Sequence, residues 1–130
     1  MPYLIDGHNL IPKLGIDLNA FDDEIKLIER LNEFCRLSRR GQVEIYFDNA
    51  PPGMPENRRV GLVHAHFVRR PMIADEAIRR RLQKLKNDAK NWNVISSDHQ
   101  VQAEAKSVGA RVISSDEFAR TVSETLRAGP

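Results

Sequence analysis

The chain has 130 residues, and its 20 lysines and arginines against 18 aspartates and glutamates give a formal charge of +2. A chain of this length can bury enough apolar surface to fold as one domain, residues 1–130, without disulfides or structural zinc. The single Cys35 excludes an internal disulfide, and no apolar run approaches the roughly 20 residues of a membrane span. The N-terminus also lacks the basic start and apolar stretch of a signal peptide, so we expect a cytoplasmic protein.

Apolar periodicity and turn residues divide the chain into strands and helices that mostly alternate. This pattern indicates a single α/β domain with a mostly parallel sheet flanked by helices. In chain order, we predict strand 2–6, helix 22–38, strand 42–48, strand 60–68, helix 74–90, strand 92–96, helix 98–108, strand 110–113 and helix 115–127.

The third predicted strand, residues 60–68, departs from this alternation. One face of this strand is apolar and the other is partly polar, which is typical of an edge strand. The link before it, residues 49–59, is too short and too rich in proline to hold a crossover helix, so the strand should join irregularly or run antiparallel. His64 and His66 share its polar face, and without a third ligand they indicate an exposed surface rather than a metal pair.

Four acidic segments each follow an apolar run, and they carry Asp6, Asp48, Asp75 and Asp98. Because the carboxyl ends of the strands form the ligand-binding edge of an open α/β sheet, we expect these side chains to meet there. Carboxylates that meet repel each other and hold protons unless a cation joins them. Mg²⁺ or Mn²⁺ prefers such oxygen ligands. The pattern predicts a metal site, and such a site suggests phosphate chemistry.

Each acidic segment also has an ordinary local explanation. Aspartates after strands suit turns, acids in a first helical turn complement the helix dipole, and Ser97 begins a capping-box pattern. We favour the metal interpretation because the four segments agree, with Asn9 beside Asp6 to hold a water or a phosphate oxygen. Glu76 and Ser97 are possible additional site residues, whereas His8 suits a surface turn.

Basic residues crowd the middle of the chain, between residues 58 and 86. The ordinary explanation is a solvated helix face with ion pairs four residues apart. Beside a metal site, a nucleic-acid footprint explains the cluster equally well. The predicted RNA-binding residues are Arg69, Arg70, Arg79 and Arg80.

Four motifs, in this order and spacing, carry a family resemblance: residues 3–9, 47–48, 74–76 and 96–100. They resemble the NYN domains of the YacP-like group, which belong to the PIN-like ribonucleases. The resemblance implies a Rossmann-like sheet and Mg²⁺- or Mn²⁺-dependent endonucleolytic cleavage of RNA, and ribosome-associated mRNA cleavage is known in the group. When the functional residues of the family are carried over motif by motif, the resemblance implies that the catalytic residues are Asp6, Asp48, Asp75, Asp98 and Asn9.

The same resemblance implies roles for the carboxylates. One metal, held by Asp6, Asp98 and Asp75, orients a water, and Asp48 holds a second metal or positions that water. Two other functions stay open, a non-catalytic RNA- or ribosome-binding module and a small-molecule phosphohydrolase. The acidic set favours an enzyme over a binding module, and the basic cluster favours a polymer over a small substrate.

One pentapeptide, Val-Ile-Ser-Ser-Asp, occurs twice and ends at Asp98 and at Asp116. Local chemistry does not separate the two aspartates, but topology does, because ligands bind beside the first strand, where the winding of the sheet reverses. In a doubly wound order, strand 92–96 neighbours the first strand and strand 110–113 lies one position further out. We therefore expect Asp98 to reach the site and Asp116 only to cap its helix.

Overall fold

The sheet and its flanking helices are seen in a computed structural model that describes residues 2–18, 22–39, 41–50, 53 and 55–129. Short 3₁₀ turns at Pro12–Leu14 and Lys86–Asn91 accompany them. In this part of the chain the strands are β1 Tyr3–Asp6, β2 Val43–Phe47, β3 Asn57–Val60, β4 Val63–Phe67, β5 Asn93–Ile95 and β6 Arg111–Ile113. The helices are α1 Gly7–Leu10, α2 Asp23–Ser38, α3 Ala74–Leu85, α4 His99–Ser107 and α5 Ser115–Ala128.

The strands pair in the order β3-β4-β2-β1-β5-β6, and each neighbouring pair is parallel except β3 with β4. From β1 the chain first adds β2 and β4 on one side, and later β5 and β6 on the other. The winding therefore reverses between β1 and β5, and their carboxyl ends form the crevice where such folds bind ligands. The predicted α/β fold is confirmed. The last strand also lies one position beyond its neighbour, as expected.

The predicted strand 60–68 is partly wrong, because it contains a hairpin turn. The turn lies at Gly61 and Leu62, between β3 and β4. Gly61 has a φ of 57°, and the Leu62 N–H donates to Asn32 Oδ1 of α2 at 3.0 Å. The edge strand is therefore β3, and β4 runs parallel to β2. The alternation of apolar and polar residues continues through the turn, so the sequence pattern does not show that the strand is interrupted. The antiparallel pairing that the sequence predicts is made by β3 with β4.

The helix boundaries agree with the predictions to within two residues, except at the end of α3. That helix ends at Leu85 rather than at residue 90, because Lys86 takes a φ of 50°, outside the helical region. α4 begins after Asp98, whose side chain caps it, so the expected cap at Ser97 is wrong. None of the described helices is both long and apolar enough to cross a membrane.

Two apolar cores lie on opposite faces of the sheet. Leu4 packs with α3 and α4 on one face, and the next residue, Ile5, packs with α2 and α5 on the other. In the described chain, the main helix contacts of β3 and β4 come from α2. Because no crossover helix joins β2 to β4 within the described residues, the opposite face of this half of the sheet is left partly open. There Arg59 is exposed, and His64 and His66 are partly exposed.

Gly7 allows the start of α1 to approach the ring of Phe47. A Cβ at this position would overlap Cδ1 and Cε1 of that ring. We predict that Gly7→Ala lowers the free energy of unfolding by about 1–3 kcal/mol, because the overlap forces the ring or the backbone to move. Chemical denaturation should show a smaller cost of Gly7→Ala in the Phe47→Leu background. An equal cost in both backgrounds would mean that the ring contact is not the reason for glycine.

Candidate active site

Three of the predicted carboxyl groups meet at the crevice between β1 and β5. Asp6 ends β1 and is buried, Asp75 lies in the first turn of α3, and Asp98 caps α4. The side chain of Asp6 shares a hydrogen bond with Asp75, and Asp75 shares another with Asp98. Since an ionised carboxylate can only accept hydrogen bonds, the contact between Asp6 and Asp75 is made while one of the two carboxyl groups holds a proton. The predicted convergence of these three residues is therefore found.

The electrostatics of this chain of carboxyl groups follow from burial and like charge. Burial, the hydrogen bond and charge of Asp75, and the charge of Asp48 raise the pKa of Asp6 to about 7. Burial and the charge of Asp98 also raise the pKa of Asp75. Groups of this kind hold protons because two neighbouring negative charges cannot both be stabilised without a cation.

The loop after β5 fixes the position of Asp98. One of its oxygens accepts the Val101 N–H at 2.9 Å, and its own N–H donates to Ser96 Oγ at 3.1 Å. Ser96 is completely buried, and its carbonyl oxygen accepts a hydrogen bond from Gln102 Nε2 at 2.8 Å. The helix cap uses one carboxylate oxygen of Asp98 and leaves the other for the crevice.

Asn9 joins the two sides of the crevice. Its backbone N–H donates to the Asp6 carboxyl group and lowers its pKa, against the larger effects that raise it. Its side-chain oxygen accepts the Ser97 N–H at 3.2 Å. Asn9 therefore ties α1 to the loop after β5, a structural role that the sequence analysis did not foresee. Ser97 contributes its backbone to this contact, and its side chain is exposed to solvent.

Asp48 lies beside this group but has a partner of its own. His8 Nδ1 is 2.8 Å from Asp48 Oδ1, and His8 Nε2 is 2.8 Å from Glu24 Oε2. Hydrogen bonds to Glu24 and Asp48 raise the pKa of His8 to about 9, although burial opposes this, so the ring is a cation at neutral pH. The expectation that His8 is a surface turn residue was wrong. No local pattern links it to Glu24, which lies 16 residues away in the first turn of α2.

The other predicted residues lie around the rim of the crevice. Glu76 does not join the carboxyl groups, because Arg80 Nη2 binds its Oε1 at 2.9 Å on the helix surface. Arg70 Nε donates to Asn49 Oδ1 at 2.9 Å, next to Asp48 in the chain. The charge of Arg79 lowers the pKa of Asp75, which places this arginine near the crevice. Arg69 is exposed.

The donor set fits a hard divalent cation by its chemistry. Asp6, Asp75 and Asp98 offer oxygen ligands alone, the kind that Mg²⁺ and Mn²⁺ prefer. The cysteine lies in the apolar core, and His8 is protonated and engaged, so neither offers a softer ligand. As they stand, no three His, Cys, Asp or Glu side chains among the described residues are arranged as a finished metal cage. A cation here would take the place of the shared protons.

Asp6→Asn tests the repulsion at this site. Between about pH 4 and pH 7 the unfolded chain has lost the Asp6 proton while the folded chain still holds it, so stability falls as the pH rises through this window. We predict that the stability of Asp6→Asn does not fall in this way, and that the variant melts several degrees above the wild-type protein at pH 8 in EDTA. The difference should shrink toward pH 4, and the exposed Asp116→Asn serves as the control. A variant that melts below wild type at pH 8 would show that the repulsion is unimportant.

Comparisons with known proteins place this geometry in a family. A family model described as the YacP-like NYN domain matches residues 3–128. A crystal structure of Rae1 (YacP) from Bacillus subtilis matches with a TM-score of 0.78 and 28% sequence identity. The match covers 98% of this chain and 76% of the Rae1 chain. A mutant of that protein matches with a TM-score of 0.74 and 28% sequence identity. This match covers 98% of this chain and 77% of the mutant chain. No curated protein matches. The chain therefore belongs to the YacP-like NYN family and has the fold of a nuclease domain.

Proposed function

We propose that this protein is a metal-dependent endoribonuclease that hydrolyses phosphodiester bonds in RNA. One observation carries the proposal: the carboxyl groups of Asp6, Asp75 and Asp98 adjoin at the crevice between β1 and β5, where the winding of a nuclease-family sheet reverses. Carboxyl groups placed in contact at a ligand-binding edge weaken the metal-free protein, and a cation compensates them. Arginines at the rim favour a polyanionic substrate over a small phosphate ester.

The cofactor in this proposal is Mg²⁺ or Mn²⁺, held by Asp6, Asp75 and Asp98. PIN-like nucleases generally use divalent metals. When bound, such an ion supplies an activated water and neutralises charge on the phosphate. Water then attacks phosphorus and the bond to the 3′ oxygen breaks, which leaves a 5′-phosphate and a 3′-hydroxyl.

The side chains around the ion have separate tasks. His8 holds Asp48 by one oxygen and leaves the other to position the attacking water or a second ion. Arg70, bound to Asn49, and Arg79, near Asp75, would contact the phosphates around the cut. Asn9 keeps Asp6 and the loop carrying Asp98 at a fixed separation. Ribosome-associated mRNA as the substrate and a cytoplasmic location stay predictions.

A non-catalytic RNA-binding module is the second candidate. The observation in its favour is that the described carboxyl groups touch in pairs and do not surround one point as a finished cage. Cleavage assays decide between the two functions. Structured and single-stranded RNA are incubated with the protein in Mn²⁺ or in EDTA, and cleavage in Mn²⁺ alone is expected. RNA that is bound but never cut would favour the binding module.

The repeated pentapeptide supplies matched variants for this assay. Asp98 touches Asp75, whereas Asp116 lies on the surface and pairs with Lys13 at 3.0 Å. We predict that Asp98→Asn abolishes cleavage with little loss of stability, because asparagine keeps a capping oxygen and loses the charge. Asp116→Asn should keep full activity and cost at most about 1 kcal/mol, as for other exposed ion pairs. Equal loss of activity in two folded variants would mean that the site lies elsewhere.

Metal binding can be measured without RNA. Because a ligand that binds the native state alone stabilises it, Mn²⁺ at about 100 times its dissociation constant should add about 2.7 kcal/mol. We predict a rise in melting temperature with Mn²⁺ at pH 8 in the wild-type protein and in Asp116→Asn, and no rise in Asp6→Asn. Coincident wild-type melts with and without millimolar Mn²⁺ would contradict the metal assignment, whatever the RNA assays show.

A further inference from the structure

An open groove crosses the half of the sheet that α3 and α4 leave uncovered. Two cavities of about 440 and 460 Å³ adjoin there, between α3, the partly exposed side chains of β2 and β4, and the exposed strand β3. Both are lined by Glu44 and Arg81. We call this surface the sheet groove, and its defining residues are Glu44, Tyr46, Arg59, His64, His66 and Lys84.

The sheet groove begins beside the carboxyl groups. Tyr46 of β2 is the register partner of Asp6 in the parallel pair with β1, so the two side chains lie next to each other on one face. Ala77, two residues after Asp75 in α3, lines the same cavity as Tyr46 and His66. A nucleic-acid strand bound at the carboxyl groups can therefore continue into the sheet groove without leaving the protein surface.

The charges of the sheet groove favour an anion. Arg81 is neutralised by Glu44, which it binds through two nitrogens at 2.9 and 3.0 Å. Arg59 and Lys84 are exposed, and neither forms an ion pair with another described residue. The uncompensated charges that line the groove are thus positive, as a phosphate backbone requires.

Aromatic rings form the floor of the sheet groove. The ring of His66 stacks on Tyr46 with centroids 4.6 Å apart, and His64 lies 4.1 Å from His66. The Nε2 atoms of both histidines are buried without a hydrogen-bond partner in the described structure, an arrangement that calls for an explanation. Burial, with the charges of Arg59 and Arg81 against that of Glu44, lowers the pKa of both histidines, so both rings are neutral at neutral pH. A ring that turns toward a bound base or phosphate would gain the missing partner.

We propose that the sheet groove binds single-stranded RNA on one side of the cleavage site, with Arg59 and Lys84 on its phosphates. The inference rests on the proposed function, and it adds the path of the substrate. An unpaired strand is favoured over a duplex because its bases are free to lie against aromatic rings, whereas a duplex keeps them stacked inside. The groove also lies on a different face from His8 and Glu24, so it is distinct from the network around Asp48.

The test measures binding apart from cleavage. Asp98→Asn protein in EDTA is titrated with a fluorescent single-stranded RNA, and anisotropy is recorded over a salt series. The groove variant adds Arg59→Ala and Lys84→Ala. The matched control adds Lys106→Ala and Arg127→Ala, which remove the same charge from exposed positions in the last turns of α4 and α5. Circular dichroism melts confirm that all three proteins are folded.

The expected result is a change in salt dependence confined to the groove variant. Loss of two phosphate contacts should flatten the slope of log affinity against log salt by roughly 1.4, at about 0.7 per contact for single strands. The control variant should keep the parent slope. Equal slopes in the groove and control variants would overturn the groove proposal and leave the nuclease proposal standing. If the parent and wild-type proteins bind no RNA and cut none, both proposals fail.

A second copy of the chain is the competing occupant of the sheet groove. Sedimentation of the same variants distinguishes it from RNA. A parent protein that is dimeric, and that becomes monomeric in the groove variant while the salt slope stays unchanged, would assign the groove to self-association and overturn the RNA proposal.

Discussion

Repulsion among carboxyl groups between β1 and β5 is the constraint on which the chemistry of this domain depends. Asp6, Asp75 and Asp98 are carried by a strand and two helices whose positions are fixed by two buried cores, so the acids cannot move apart freely. Burial, together with the hydrogen bond and charge of Asp75 and the charge of Asp48, raises the pKa of Asp6 to about 7, so a proton compensates part of the charge near neutral pH. In the proposed metal-bound state the same repulsion would become affinity for a cation, because metal binding couples to the loss of protons.

The acids around the crevice fall into two kinds. Asp48 and Glu24 have a permanent counter-ion, since His8 lies 2.8 Å from each and is protonated at neutral pH. Asp6, Asp75 and Asp98 form no ion pair with another described residue, although the charge of Arg79 acts on Asp75, and the pKa values of Asp6 and Asp75 are raised. A cation gains most where negative charge is least compensated, so under the proposed function the first ion would bind at Asp6, Asp75 and Asp98. An ion at Asp48 would compete with His8, which favours a positioning role for that carboxylate.

The sequence was enough to predict the sheet order around β1 and the meeting of Asp6, Asp75 and Asp98, because both follow from strands that alternate with helices. It did not predict the hairpin at Gly61 or the His8 network, which depend on contacts between segments distant in the chain. The repeated pentapeptide shows the limit well. Asp98 caps α4 itself, whereas Ser114 caps α5, so identical residues begin a helix two positions apart. Asp116 therefore binds Lys13 and does not cap, contrary to expectation.

Among the described residues the β3–β4 hairpin, and no crossover helix, connects β2 to β4, which explains why the sheet groove lies beside the carboxyl groups. A helix over β2 and β4 would cover the partly exposed His64 and His66, and because the described residues place none there, α3 borders the open half. α3 carries Asp75 in its first turn and Lys84 in its last. Nine residues at 1.5 Å each separate these two positions by about 14 Å along a rigid helix. If RNA follows the groove, the length of α3 sets the distance between the cut and the bound strand.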